Sequence, residues 1–221
     1  MQPLTRGLVV QLVRIPACHA GGREFESRPD RRIILNMEIL KEYPYLINKK
    51  FCNTIIDIAS TRLEIAKTVG EQIDGYRTAE YCWLDDIYEP ELEWIKDFIS
   101  KATNTPIENQ ESIHIVRYTV GGEYKEHHDW FDEDDIEQRT EIGSSGNRTH
   151  SFLIYLNDDF EGGETEFPKL ETTVQPEIGK GVMWINKQDG ICLDDSLHAG
   201  LPVTNGEKWI LIVWVRENKF I

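Results

Sequence analysis

Tyr124-Lys125-Glu126-His127-His128-Asp129-Trp130-Phe131 is the stretch whose reading decides the fold. It reads as extended chain between two aromatic ends. In a strand, residues i and i+2 share a face, so His127 and Asp129 look inward together while His128 looks away. A neutral imidazole and a carboxylate on one face are part of a metal-ligand set. The plain alternative is a solvated edge-strand histidine beside an acidic loop, and the motif alone does not separate the two. A further ligand has to come from a distant strand that folds back alongside. His198, in Ser196-Leu197-His198-Ala199-Gly200, is the only histidine C-terminal to His150.

The 221 residues fit one domain with appendages, or two small ones, and suffice to bury a core. A net charge of -15 argues against a phosphate-backbone binder and against an anionic membrane surface. Neither nucleic acid nor membrane is therefore an expected partner. The acidity reads as solubility in a cell interior, which places the protein in the cytoplasm (the host's, for a viral source). Cys18, Cys52, Cys82 and Cys192 are widely spaced with no Cys-x-x-Cys, so reduced thiols are expected rather than a disulfide framework. No apolar run is long enough to span a bilayer.

Residues 1–36 differ from the rest. Six arginines against Glu24, Glu26 and Asp30 give +3, which leaves -18 for the remainder. Pro16-Ala17-Cys18-His19-Ala20-Gly21 can be encoded as two complementary arms around a glycine-anticodon loop. Glu24-Phe25-Glu26-Ser27 can encode a T-loop in the right order after it. The reading is therefore a non-native or disordered extension that arises from a translated tRNA gene, with the natural start at Met37. A basic targeting arm and an extra strand are the competing readings.

From residue 37 to 221 the text reads as one domain. Asn48 is an N-cap for a helix carrying Phe51, Ile55, Ile56, Ile58 and Ala59, and Leu63 to Val69 continues it or forms another. Pro90 opens a second helix with Leu92, Ile95, Phe98 and Ile99 on one stripe. After Pro106 the period becomes two, with strands expected at Ile113–Tyr118, Tyr124–Phe131, Ser151–Leu156, Gly181–Ile185, Leu197–Val203 and Trp209–Val215. Asp132 to Asn147 reads as an acidic loop, a lid over the substrate groove. Two helices followed by about eight short strands predict an α+β fold, a double-stranded β-helix (jelly-roll) core with N-terminal supporting helices.

His127, Asp129 and His198 together make the 2-His-1-carboxylate set of non-haem iron oxygenases, which leaves positions on the metal open. In this light the chain resembles the prolyl 4-hydroxylase branch of the Fe(II)/2-oxoglutarate dioxygenases from about Leu46 to Val215. The resemblance rests on Glu108-Asn109-Gln110-Glu111, Val116-Arg117-Tyr118, Tyr124 to Phe131, Asn147-Arg148, Gly162-Gly163-Glu164-Thr165-Glu166-Phe167-Pro168, Ser196 to Val203 and Gly206-Glu207-Lys208-Trp209, in that order. It implies Fe(II) held by His127, Asp129 and His198, 2-oxoglutarate as co-substrate and L-ascorbate as reductant. It also implies Lys208 as the cation for the far carboxylate of 2-oxoglutarate, with Tyr118 and Thr165 as hydroxyl partners and Trp214 lining the pocket. Arg148 and Tyr124 match positions near the peptide substrate. Each has a plain alternative: a turn lysine, a packed strand tyrosine, a turn threonine, a core tryptophan, or an arginine paired with the acidic loop. Glu111 reads as structural, and His114, His128 and His150 as strand histidines without a metal role.

The resemblance thus implies a dioxygenase that hydroxylates peptidyl proline at C4, of the procollagen-proline 4-dioxygenase kind, with succinate and CO2 as co-products and a proline-containing peptide as partner. Glu126 stands where relatives often carry proline, and Trp130 where tyrosine is commoner, which leaves the substrate open. The rivals are a same-fold dioxygenase acting on another side chain or a small molecule, a silent jelly-roll binding module, and a zinc hydrolase using the same three ligands.

Overall fold

The computed structural model describes residues 39–65, 78–84 and 89–220. The expectations for residues 1–36, and for the part of Leu63 to Val69 beyond Ile65, lie outside the described residues. The chain runs through β1 (Leu40–Tyr43), α1 (Lys49–Ser60), β2 (Glu64–Ile65), β3 (Glu80–Trp83) and α2 (Pro90–Thr103). Then come β4 (His114–Tyr118), β5 (Tyr124–His127), α3 (Ile136–Ile142) and β6 (Arg148–Tyr155). The short strands β7 (Glu161–Gly162), β8 (Thr165–Phe167) and β9 (Thr172–Val174) follow. The chain closes with β10 (Gly181–Ile185), β11 (Lys187–Gln188), β12 (Ile191–Cys192), β13 (His198–Gly200), β14 (Val203–Asn205) and β15 (Lys208–Arg216).

A seven-stranded sheet in the order β1-β10-β6-β15-β4-β3-β2 and a four-stranded sheet in the order β5-β13-β8-β9 form the jelly roll. The decisive strands are β6 and β15, which pair antiparallel from Ile210 opposite Tyr155 to Val215 opposite His150. Every residue of β15 is buried. Its side chains alternate between two cores, as a two-residue period requires. Trp209, Leu211, Val213 and Val215 join Phe152, Ile154 and Leu156 against the helices. Ile210, Ile212 and Trp214 join Leu153 and Tyr155 on the other face, between the sheets. Burial on both faces explains why β15 reads as a continuous apolar run.

The helices cover the outer face as the apolar stripes predict. Asn48 caps α1 by accepting from the Phe51 N–H at 2.9 Å, and α1 buries Phe51, Cys52, Ile55 and Ala59. α2 begins at Pro90, has Glu91 and Glu93 in its first turn, and buries Leu92, Ile95 and Ile99. Two local expectations are corrected, and one strand was not expected. Residues Glu64–Ile65 form a strand pairing with β3 rather than continuing α1. Leu40–Tyr43, too short and mixed to show a period, is an edge strand on β10. The acidic stretch after Phe131 is not loop throughout, because Asp135 caps α3 by accepting from the backbone N–H groups of Glu137 and Gln138. α3 buries none of its residues, while the wholly buried Asn147 pins the end of the segment to both the N–H and the carbonyl of Phe131.

Ile95 has no exposed surface and sits at the centre of the helix-side core. Truncating Ile95 to alanine should therefore cost about 2–5 kcal/mol in chemical denaturation, against about 1 kcal/mol for Asn48→Ala at the cap. Equal losses would mean that the helix does not brace the sheet.

Candidate active site

His127 ends β5 and His198 opens β13, and the two are direct cross-strand partners. Asp129 lies just past the end of β5 rather than within it, so its inward direction comes from the bend after His127 and not from strand alternation. The three side chains nevertheless converge. Asp129 Oδ1 is 3.7 Å from His127 Nε2, and Oδ2 is 3.6 Å from His198 Nε2. Among the described residues this is the one group of three His, Cys, Asp or Glu side chains with ligand atoms all within 4.8 Å of each other.

The surroundings set each donor in the state a cation needs. His127 Nδ1 lies 2.7 Å from the Lys125 carbonyl and His198 Nδ1 lies 2.9 Å from the Ser196 carbonyl. A carbonyl only accepts, so both Nδ1 atoms donate and both Nε2 lone pairs face inward. Burial holds His198 below the usual imidazole range, hence neutral. Burial alone would raise the Asp129 carboxyl, but it is held below the usual carboxylate range, with Arg148 and the Ser151 hydroxyl stabilising the ionised form beside the two neutral imidazoles. Ser151 Oγ donates to Asp129 Oδ2 at 2.5 Å, and the wholly buried Asn186 donates through Nδ2 to Ser151 Oγ at 2.8 Å. A carboxylate held at one oxygen between two outward-braced imidazoles fits a divalent metal ion.

The triad opens into a pocket between the two sheets, whose apolar wall includes Val116, Leu153, Trp184, Ile210, Ile212 and Trp214. Lys208 lines the same pocket, is 2 % exposed and stands opposite Tyr118 across β15 and β4. Burial brings its ammonium down to about 7, with Glu164 offsetting part of the effect. No carboxylate lies within ion-pair distance of Lys208 among the described residues. A buried cation of this kind is completed by an anionic ligand. Thr165 Oγ1 and Tyr155 Oη are 2.6 Å apart, and the Tyr118 and Tyr155 rings lie 5.3 and 5.6 Å from Lys208 Nζ. Ser151 and Tyr155 stand four residues apart on β6, roughly 13 Å of extended chain, so the metal-ligand end and the cation end are distinct. The Gly162-Gly163 pair has a local cause. Both have positive φ, and a Cβ on Gly162 would stand 2.4 Å from the Pro202 carbonyl and one on Gly163 3.0 Å from Lys208 Cδ.

The remaining sequence candidates fall into place unevenly. Tyr124 lines the pocket and stacks on His127 at 3.5 Å. Trp214 lines it with an indole N–H that has no hydrogen-bond partner among the described residues, as does Trp184. Arg148 is not on the pocket wall. It donates to both oxygens of buried Glu111 at 2.6 and 2.8 Å, stacks over Trp214 at 3.8 Å and donates to the Asp129 carbonyl at 3.4 Å. Its partner is thus Glu111, not the acidic stretch, because a nearly buried guanidinium needs a bidentate carboxylate in the same dry layer. Arg216 shares Glu111 at 2.5 Å. His128 faces away, toward the Asp194 carbonyl at 3.3 Å. Sequence reasoning missed Tyr155, Ser151, Asn186 and Trp184. The signal for the first two was there, since Ser151, Leu153 and Tyr155 share one face of β6 by alternation.

Comparison with known proteins follows the same lines. Residues 113–216 match the model of the 2OG-Fe(II) oxygenase superfamily. The chain is 33% identical over 177 residues to a protein of Acanthamoeba polyphaga mimivirus named "Putative prolyl 4-hydroxylase", covering 79% of this chain and 73% of that one. It is 31% identical to the prolyl 4-hydroxylase subunit alpha-1 of Bos taurus, covering 78% of this chain and 33% of that one, so it spans about a third of that subunit's length. Among solved structures, the viral collagen prolyl hydroxylase from Paramecium Bursaria Chlorella virus-1, in its 2OG complex, aligns with a TM-score of 0.67 at 26% identity, covering 81% of this chain and 96% of that one.

Removing the Ser151 hydroxyl leaves Asp129 Oδ2 without its brace. Ser151→Ala should weaken divalent-metal binding roughly 10- to 100-fold, as loss of an outer-shell partner does, in calorimetric titration with Mn(II). Affinity within twofold of wild type would remove Ser151 from the metal-supporting set.

Proposed function

We infer the reaction from membership: the chain belongs to the prolyl 4-hydroxylase branch of the 2OG-Fe(II) oxygenase superfamily. It is a 2-oxoglutarate- and Fe(II)-dependent dioxygenase, a prolyl hydroxylase. Beyond that, we propose that it hydroxylates C4 of a proline within a peptide, and that His127, Asp129 and His198 hold the iron. The observation that carries this reading is one pocket with an ionised carboxylate and two inward imidazole lone pairs at one end and an uncompensated buried lysine at the other. Fe(II), with 2-oxoglutarate and O2, supplies the oxidation: one oxygen atom goes to the substrate C–H and the other to succinate, with loss of CO2.

The residues of this chain bind, orient and exclude. Lys208 takes the far carboxylate of 2-oxoglutarate, and the Thr165 and Tyr118 hydroxyls, with Tyr155 beside them, fix its rotation. The apolar wall keeps water from the reacting atoms and strengthens each electrostatic contact inside. Trp214 and Tyr124 form the rim on which the target proline rests, a non-polar ring against aromatic faces. Arg148, bound to Glu111, acts on the metal end by holding the backbone of Asp129 from behind, and reaches a peptide only along the edge it shares with Trp214. Ascorbate as the reductant that keeps the iron ferrous belongs to this reading. So does a reducing cellular interior, supported by Cys52, Cys82 and Cys192, all free thiols.

The test of the reaction is incubation of purified protein with Fe(II), 2-oxoglutarate and a proline-rich peptide library, followed by fragmentation mass spectrometry. One added oxygen on proline, at C4 by amino-acid analysis, is expected. Consumption of 2-oxoglutarate stimulated by non-proline compounds alone would overturn it.

Two expected outcomes follow for the cation. Lys208→Ala should weaken 2-oxoglutarate binding roughly tenfold or more, the worth of a hydrogen bond to a charged group in a closed site. In wild type the ammonium titrates near 7 in the free fold and near its ordinary 10.5 in the unfolded chain. Between those values the unfolded chain binds the extra proton, so this group makes the ligand-free protein more stable as pH rises through that window. The carboxylate ligand needs the protonated form. Its affinity should be full below pH 7 and fall as pH rises above it, approaching tenfold per unit, with proton uptake visible as a buffer-dependent heat of binding. A flat profile from pH 6 to 9 in Lys208-containing protein would show that the lysine does not meet the carboxylate.

A further inference from the structure

Asp129 has no strand ladder of its own. β5 ends at His127, which still pairs with His198 of β13, and Asp129 sits in the bend beyond. Two contacts that reach this bend are long: the Trp130 indole N–H to the Leu193 carbonyl at 3.3 Å, and Arg148 Nη1 to the Asp129 carbonyl at 3.4 Å. The short backbone contacts come at Phe131, just after the bend. Its N–H donates to Asn147 Oδ1 at 2.8 Å, and its carbonyl accepts from Asn147 Nδ2 at 2.7 Å. A side-chain amide that exchanges both bonds with one backbone residue does what a residue of a partner strand does in an antiparallel ladder. The same Oδ1 accepts from the Arg148 N–H at 2.9 Å, which fixes the amide to the first residue of β6. The partners settle which way the amide points, since an N–H only donates and a carbonyl only accepts. Nδ2 also donates to Cys192 Sγ at 3.8 Å, so the wholly buried side chain uses all its hydrogen-bonding positions. The Phe131 ring is held as well, by the Arg148 and Arg216 guanidinium groups at 4.8 and 4.9 Å.

We propose that Asn147 is a positioning residue for Asp129. It is a side-chain rung that replaces the missing ladder and keeps movement of residues 132–146 from reaching the metal ligand. The proposal rests on the reading of Asp129 as a ligand and adds what holds its backbone in place. Residues 132–146 leave the chain after Phe131 and return at Asn147, so the rung closes them off at their base. Toward that base they are tied to the end of β15, by Arg216 Nη1 to the Gly146 carbonyl at 2.8 Å and by the Asn218 N–H to the Ser145 carbonyl at 2.9 Å. Farther out, α3 buries no residue, and an element with nothing buried opens at low cost. The ligand, by contrast, is referenced twice to β6, which lies inside the large sheet between β10 and β15. Asn147 fixes the backbone after Asp129 to the start of β6, and Ser151 fixes the carboxylate to the same strand. Without the rung, the backbone of Phe131 would reach β6 only through the whole excursion. The ends of a longer loop are held together less well, and the carboxylate would then turn about its bond to Ser151.

The test uses Co(II) as the probe in the full chain, with affinity read by calorimetry and ligand field by the visible absorption of the bound ion. Asn147→Ala should weaken Co(II) binding roughly tenfold, as loss of a group that supports a ligand does, and should shift the absorption bands. With Fe(II), 2-oxoglutarate and a proline-rich peptide, the Fe(II) concentration for half-maximal rate should rise while the peptide KM holds within about twofold. A residue that only supports the fold would lower the thermal midpoint and leave Co(II) affinity and spectrum unchanged, and that result overturns the proposal. So does a raised peptide KM with Co(II) binding intact, which would assign Asn147 to the acidic segment alone. Should Asn147→Ala fail to fold, amide hydrogen exchange in wild-type protein decides. The N–H groups of Phe131 and Arg148 should exchange slowly and those of α3 fast, and Co(II) should slow the first pair further while leaving α3 as it was. Phe131 exchanging as fast as α3, or α3 slowed by Co(II) together with Phe131, would overturn the isolation. Failure of the underlying reading is separate: wild-type protein that binds no Co(II) removes Asp129 as a ligand and the proposal with it, whereas in every other failure the wild type binds the ion.

Discussion

Burial of β6 and β15 on both faces is the constraint on which the rest of this structure depends. A strand has two faces, and here each meets a different core. The face toward α1 and α2 is filled with aliphatic side chains, Phe152 and Trp209, and carries none of the candidate site residues. The opposite face alternates with it residue by residue and carries Ser151, Tyr155, Lys208 and Trp214. A one-residue slip of either strand would send its functional side chains into the helix layer and bring apolar ones into the pocket. The helices and the site are in this sense one problem: without α1 and α2 the register would have only one buried face to define it.

Inside that frame the charges follow a consistent rule. A buried charge needs a partner, and the structure supplies one wherever the role is to hold the fold. Glu111 serves both Arg148 and Arg216, and Arg216 also donates to the Gly146 carbonyl at 2.8 Å. Lys180 and Lys187 each meet two carboxylates. Lys208 is treated differently: it is as buried as these, has Glu164 only at a distance, and its ammonium is pushed down accordingly. Desolvation without a partner is an expense that a pocket for an anionic co-substrate repays on binding. Asp129 shows the converse arrangement, an anion kept ionised by neighbours that leave one side of it open to the pocket.

Arg148 illustrates how a family position can act at one remove. Its guanidinium touches Glu111, the Asp129 backbone and the Trp214 ring, and so joins the fold's charge network to the metal-ligand segment. Ser151 and Asn186 do the same from the other direction, as a two-step hydrogen-bond chain ending on the carboxylate. Both sets lie on the first residues of β6 or beside them. The strand that carries the apolar core therefore also aims the ligand, which ties the precision of the site to the packing of the sheet.

Much of this was legible in the sequence because it is periodic or chemically singular. The helical stripes of α1 and α2, the Asn48 cap and Pro90 start, and the continuous apolar run of β15 are local signals, and local physics was enough to read them. His127, Asp129 and His198 stood out as residue types in a pattern, and Lys208 through its place in a run of motifs. What only the tertiary structure decided was every relation between distant segments. Asp129 points inward from a bend after β5, not from the strand whose alternation was used to argue for it. Arg148 finds Glu111, 37 residues earlier, instead of the acidic residues next to it in sequence, and that acidic stretch forms a capped helix. Tyr155, Ser151 and Asn186 gain their roles from strands that come together only in the folded sheet. The physical reason is the same in each case. Propensity and periodicity act between near neighbours, whereas the partner of a buried polar group is chosen by which chains the sheet brings within a hydrogen bond's length, and that is a property of the whole fold.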